Sequence, residues 1–427
     1  MTNYINEMLD FIYDSPNSYL AVDNIKKELL NKGYIEYIEN SNMKFIKGQK
    51  YFVTRNLTSI IAFNIGKTLN KPSINMVASH LDCPSYKIKP NAIIKNNGYT
   101  KLNVEGYGGM IKRSWLDRPL SLAGRVLVKD NNKIISKLIN IKEPIMIIPS
   151  LAIHLNRELD NTSLNQQIDM LPLISLDQDY DFNLYISKYL NINIEDLISF
   201  DLFLYPLEKG YIWDKMVSSY HLDNLQCAYT SLVAFINNFK DDNINIYISF
   251  DNEEVGSRTR QGASSKFLYD ILVKLSNDLS FDLNIALASS LFVSADNAHA
   301  IHPNHPDKSD KTNHTLLNKG IVIKYNANQS YTSDGLSSAL FIEAIKESKA
   351  LYQFYTNRSD MPSGGTLGYI NVAQVSALSV DIGLPQLSMH STLETAGIDD
   401  IEYMINALKI YYQKTFELIN DGQFIIK

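Results

Sequence analysis

The chain has 427 residues, 45% of them hydrophobic and 20% charged, and a formal net charge of −6. That length can bury a large core and points to two domains, while the acidic balance gives no reason to expect a nucleic-acid partner. Two cysteines, Cys83 and Cys227, cannot build a disulfide framework, the start Met1–Glu7 lacks a signal-peptide pattern, and no long uninterrupted apolar run appears, so the expectation is a cytoplasmic protein without a membrane span.

Ile5, Met8, Leu9 and Ile12 have helical spacing, and a second helix is expected over Val22–Lys32, ended by Gly33. Tyr51–Ile65 is rich in strand formers, and Ile74–Ser79 reads as a short apolar strand that runs into His80-Leu81-Asp82. A His-x-Asp pair at a strand end suits a metal ligand with a supporting carboxylate, which fixes the imidazole tautomer. From about Asn91 to Lys215 the texture changes to short β-like runs punctuated by glycines, with a hairpin expected over Arg125–Lys129 and Lys133–Ile139. Within it, Tyr107-Gly108-Gly109 and Trp115-Leu116-Asp117-Arg118 read as a tight turn followed by a large anchor. His154 lies in an otherwise apolar run, where a histidine is more often a satisfied core residue than a ligand.

Asp223 then precedes a helical pattern, Leu225–Ile236, and is either its N-cap or a ligand; His221 beside it reads as structural. The alternation of Ile244, Ile246 and Ile248 marks a strand that empties into Asp251-Asn252-Glu253-Glu254 before Gly256 breaks the run. Carboxylates at the end of a buried strand are costly unless a charge offsets them, and a metal ion does this well. Adjacent residues point to opposite sides of an extended chain, so Glu253 and Glu254 can divide the work between a proton and a metal. A helix is expected over Ser264–Leu275, a buried strand over Leu283–Ser294, and strands at Ile321–Tyr325 and Val380–Leu384. Asp296, His299, His302 and His305 cluster after the second of these, Lys324 lies on the third, and Gly364-Gly365-Thr366 reads as a tight turn beside a pocket. His390 follows the last strand, and a long amphipathic helix, Ile401–Leu418, is expected to close the chain.

Ligand-type residues thus recur at expected strand ends: His80, Asp223, Glu254, Asp296 and His390. Two histidines and three carboxylates suit two zinc ions sharing one bridging aspartate, with Glu253 placed to take a proton from a metal-bound water.

These stretches, in this order, resemble the aspartyl aminopeptidase family of di-zinc metallopeptidases. The matching segments are Ser79–Asp82, Tyr107–Val126, Pro149–Arg157, Leu222–Asn224, Phe250–Gly256, Asp296–Asn304, Val322–Lys324, Gly364–Gly368 and Met389–Ser391. The resemblance implies an α/β di-zinc catalytic domain, 1–90 with 216–427, and an inserted β-rich assembly domain, 91–215. It implies removal of an N-terminal residue, often acidic, from a peptide. By motif Asp223 bridges the metals, His80 and Asp296 complete one site, Glu254 and His390 the other, Glu253 is the general base, and Asp82 orients His80. His299 and Lys324 match substrate-contact positions. His154 fits a loop that a neighbouring subunit supplies, and the pattern implies a large homo-oligomer, with a dodecamer as the suggested size. Ser363 and Leu393 stand where the family often has Cys and Arg, which leaves the metal assignment untouched and loosens the acidic preference. The competing readings are a related di-zinc deacylase or dipeptidase, and a non-catalytic oligomeric cargo-binding protein.

Overall fold

The structure is a computed structural model that describes residues 2–69, 72–155, 163–236 and 238–427. The chain divides into two compact units, one made of 1–82, 210–389 and 394–427, the other of 83–209 and 390–393.

The first unit is built on a nine-stranded mixed sheet. Its centre is the strand Ile74–His80, paired in parallel with Ile244–Phe250 on one side and Leu291–Ala295 on the other. All three are buried along their whole length, as strands covered on both faces must be. Alternate side chains feed two cores. Val77 and Tyr247 pack with Leu225 and Leu232 of the helix Leu222–Ile236 and Ile401 and Leu408 of the helix Ile398–Gln413. Met76, Ala78, Ile246 and Ile248 pack with Leu272 and Leu275 of the helix Phe267–Leu279. The chain thus leaves the central strand toward one neighbour by one face and reaches the other neighbour by the opposite face. That is a topological switch point, where the carboxyl ends of parallel strands open a crevice. His80, Asp251 and Asp296 lie at or directly after those carboxyl ends.

A five-stranded sheet in the same unit orders Tyr211–Trp213, Met216–Ser219, Glu394–Gly397, Pro385–Leu387 and Ala298–His299. The second unit carries a six-stranded sheet in which Leu120–Asp130 pairs antiparallel with both Leu197–Pro206 and Lys133–Asn140. Trp115 is fully buried there, edge-on to Tyr86 with ring centres 5.2 Å apart, which is the anchor its motif promised. No helix among the described residues is long and apolar enough to cross a membrane.

Two expectations fail. Leu283–Ala288 is a helix, and only Leu291–Ala295 is strand. The Asp282 carboxylate caps the helix by accepting the Asn284 and Ile285 amides at 2.8 and 3.1 Å, a local signal that the apolar run concealed. The last helix stops at Gln413, and Phe416–Asn420 pairs with Gln423–Ile426 as a closing hairpin. Asp421-Gly422 makes its turn, with Gly422 at φ 78°, and Phe416 is drawn into the core.

Candidate active site

His80 ends the central strand, 1% exposed, and its orientation is set locally. Its Nδ1 lies 3.0 Å from the Asp82 backbone carbonyl, which can only accept, so Nδ1 carries a proton and Nε2 is the atom that can ligate once the ring is neutral. Nε2 faces Asp296 Oδ1 at 3.5 Å and Asp223 Oδ1 at 3.7 Å. One ligand atom from each of these three residues lies within 4.8 Å of the others. The same limit holds for His80, Glu253 and Glu254, and for Asp223 with Glu254.

The Asp82 carboxylate has a second task that spacing did not reveal. One oxygen lies 3.5 Å from His80 Nδ1, and the two oxygens accept the backbone amides of Glu253 and Glu254, each at 3.1 Å. The Glu253–Val255 turn hangs from this carboxylate. Asn252, at φ 63°, enters the turn, and its side-chain oxygen accepts from Thr259 Oγ1 and Gln261 Nε2 at 2.8 and 2.9 Å. Both glutamates are therefore placed by fixed backbone, as a site that must hold its geometry requires.

Asp223 and Asn224 have non-helical dihedrals at the start of the helix Leu222–Ile236, and the peptide bond between them is cis. The Asp223 amide donates to Glu394 Oε2 at 2.9 Å, and Asn224 Nδ2 donates to the Ala295 carbonyl at 2.9 Å. The helix start is thereby fastened to the strand end that carries Asp296. Asn297 is the hub beside it: its Nδ2 donates to Leu222 O and Gln386 Oε1, and its carbonyl accepts from Lys324 Nζ at 2.7 Å. Gly383 passes so close that a Cβ would sit 1.9 Å from the Asp296 carbonyl oxygen, so no other residue fits. Glu394, Asn297 and Gly383 escaped the sequence reading because their parts are played through contacts distant in the chain.

Burial works against a charged His80, yet Asp296 and Asp82 outweigh it and hold its pKa well above the usual value. Burial pushes Glu253 up to about 8, with Asp296, Asp82 and Asp223 adding to the rise against the pull of His80. Asp296 resists burial because Lys324, 3.7 Å away, and His80 keep its carboxyl below the usual range. His221 is buried and pushed down to about 4, first by burial and then by His80, so it stays neutral, in keeping with a structural part.

Five carboxylates, Asp82, Asp223, Glu253, Glu254 and Asp296, around one imidazole and one buried ammonium are poorly compensated, and a divalent cation suits that imbalance. The donor set of hard oxygens with an imidazole nitrogen is one that zinc accepts. An Nδ1–H held by a carbonyl is the usual outer support of a metal-bound histidine.

His390 lies in the second unit, where its Nδ1 is 2.5 Å from the Gly109 carbonyl. The Tyr107-Gly108-Gly109 turn therefore does for His390 what Asp82 does for His80. His154 is exposed in a turn and flanked by exposed Leu151, Ile153 and Leu155, so it is no core histidine. Asn156 and Arg157, which close that segment, lie outside the described residues. His299 is exposed one strand from Asp296, and Lys324 is 2% exposed, with its ammonium 5.4 Å from the centre of the Tyr331 ring.

A family model described as aminopeptidase I zinc metalloprotease (M18) matches residues 11–412. The chain is 42% identical over 425 residues to a probable M18 family aminopeptidase 2 of Clostridium novyi (strain NT), covering 96% of this chain and 98% of that protein. It is 34% identical over 468 residues to an aspartyl aminopeptidase of Dictyostelium discoideum, covering 96% of each. It also matches a chain in a cryo-EM structure of an Ape4 and Nbr1 complex, with a TM-score of 0.93 and 33% identity over 96% of this chain and 86% of that one.

Proposed function

The chain belongs to the M18 family of zinc aminopeptidases, and from that premise we propose how its own residues carry the removal of an N-terminal residue from a peptide. His80 and Asp296 would hold one zinc ion and Glu254 and His390 a second, with Asp223 as the ligand shared by both. Zinc, when bound, supplies an activated water and polarises the scissile carbonyl. Glu253 takes the proton of the attacking water on its carboxylate and hands it to the departing amine nitrogen. Asp82 keeps both ends of this arrangement in register, through its carbonyl to His80 and its carboxylate to the glutamate turn. The observation that carries this reading is the gathering of His80, Asp223 and Asp296 within 4.8 Å, with Glu253 and Glu254 beside them.

Lys324 and His299 meet the first residue of the substrate and favour an acidic side chain there. The ammonium has three donors and spends one on Asn297 O, and the Dictyostelium relative is named for aspartyl substrates. His154 reaches the site of a neighbouring copy in a homo-oligomer, a dodecamer by the family pattern, with the β-rich insertion 91–215 as the assembly domain. The bare apolar side chains of Leu151, Ile153 and Leu155 support this, since burial against a second copy removes them from water. The buried thiols of Cys83 and Cys227, which are not joined in a disulfide, suit a reducing cytoplasm.

The test is hydrolysis of aminoacyl reporter substrates with chelator and after zinc is restored. Release of Asp or Glu that the chelator stops and zinc revives is the expected result. Release of neutral residues instead discards the acidic preference, and cleavage only of N-acyl substrates turns the reading to a deacylase. The His390→Ala variant is expected to hold less zinc per chain, and unchanged zinc content removes that ligand.

A further inference from the structure

A second concave site lies one layer of rings away from the carboxylate cluster. Lys324, 3.7 Å from Asp296, is packed on Tyr331. The Tyr331 ring centre is 6.4 Å from that of Tyr355, which is 6.5 Å from that of His299. Tyr355 and His299 then line a cavity of about 480 Å³ whose walls do not include Lys324 or Asp296.

The chemistry of this cavity is one-sided. His299, His302, His305, Lys308, Arg358 and Gln386 line it, and no carboxylate side chain is among its described lining residues, in a chain of net charge −6. His302 Nδ1 accepts the Asn304 amide at 3.2 Å, so its proton is on Nε2, which is a donor. Gln386 is 1% exposed, and its Oε1 accepts from Asn297. Its Nε2 has no partner among the described residues. The positive charge is modest. Arg358 is already paired with Asp360 at 2.7 and 2.8 Å, and Lys308 lies 3.7 Å from Asp307. A wall rich in donors but only weakly cationic suits a single carboxylate better than a phosphate.

An aminopeptidase substrate has one residue before the scissile bond, to which Lys324 and His299 are assigned, so His299 stands at the near edge of the cavity. All other substrate groups lie downstream, and a few residues of extended chain, at about 3.5 Å each, span one layer of rings. We propose that this cavity holds a carboxylate of the peptide downstream of the scissile bond, whether a terminal carboxylate or an acidic side chain. The inference rests on the aminopeptidase reading above.

The experiment uses the zinc-loaded full chain and compares kcat/KM for matched peptides. One arm sets a dipeptide against its C-terminal amide. The other sets a Glu against a Gln at the second position of an amidated tripeptide. At least one arm is expected to favour the carboxylate about tenfold, mainly through KM, and the arm that responds names the source. In the His305→Ala/Lys308→Ala variant, which alters two exposed side chains, that ratio falls toward one, and Lys308→Arg restores part of it. No carboxylate advantage in either arm, or an advantage that survives the double variant, overturns the inference while hydrolysis itself upholds the aminopeptidase. Failure to hydrolyse any peptide or reporter overturns both.

Discussion

Two segments that carry candidate site residues are built in opposite ways. The turn after the strand Ile244–Phe250 is tied down at each step: Asp82 holds the amides of Glu253 and Glu254, while Thr259 and Gln261 hold the Asn252 side chain. The segment around His154 leaves Leu151, Ile153 and Leu155 at 50, 53 and 75% exposure. The first is positioned by its own fold, because misplaced catalytic carboxylates lose their function. The second has apolar side chains whose burial its own fold does not provide, which is the mark of a segment completed by another surface.

The largest effect that can break this contrast falls on Glu253. Glu253→Gln is expected to lower kcat by about 10²–10⁴-fold, the worth of a positioned general base, while zinc content stays near two per chain under the proposed ligand set. A turnover near that of the parent removes Glu253 as the base. Next is Asp82→Asn. An amide has one oxygen where the carboxylate has two, so one of the Glu253 and Glu254 amides loses its acceptor. That costs roughly 1–3 kcal/mol of stability, and zinc affinity is expected to fall about 10–100-fold, as for other outer-sphere partners. A variant with unchanged denaturation midpoint and zinc affinity shows that the turn does not depend on Asp82.

His154→Ala sharpens the other side of the contrast. Activity is expected to fall at least about tenfold with zinc content unchanged, since the residue is proposed to complete the site of a neighbouring copy without ligating metal. Replacing Ile153 and Leu155 with Ser is expected to shift the sedimentation profile toward smaller species and to make specific activity depend on protein concentration. Specific activity that is independent of dilution in that variant counts against a shared site.

The smallest effect lies in the β-rich unit, at Asp201 between Lys87 at 2.8 Å and Arg125 at 3.0 Å. Burial works to raise its pKa, and the two cations outweigh it, so the folded value lies below the usual one. Its contribution is full above the ordinary carboxylate value of about 4 and disappears as pH falls through the lower folded value. Asp201→Asn is therefore expected to cost about 1 kcal/mol near neutral pH, with the difference from the parent shrinking in acid. A difference that grows on acidification contradicts the assignment.

Much of the frame was legible in the chain. The buried strand Ile74–His80 announced itself as an apolar run, because a strand covered on both faces has few polar positions, and Ile244–Phe250 by the alternation of its isoleucines. The same logic misled at Leu283–Ala288, where an apolar run is a short capped helix, and beyond Gln413, where Phe416–Leu418 continues the helical pattern but begins a hairpin strand. Apolar periodicity reports burial more faithfully than it reports the kind of element.

For the site, residue type at strand ends was enough to nominate His80, Asp223, Glu253, Glu254 and Asp296, since carboxylates and imidazoles at the ends of buried strands need a reason to be there. The supporting contacts were not readable. Asp82 receiving the glutamate amides, Glu394 accepting from Asp223, Asn297 joining Leu222 to Lys324, and Gly383 making room for Asp296 all join positions far apart in the chain. The amino-acid sequence by itself determined which groups can ligate, donate and take protons, because that is a property of the side chain. Which of them meet, through which nitrogen of His80, and with which pKa was decided only by the tertiary structure, because distance, burial and hydrogen-bond direction exist only once the sheet is assembled.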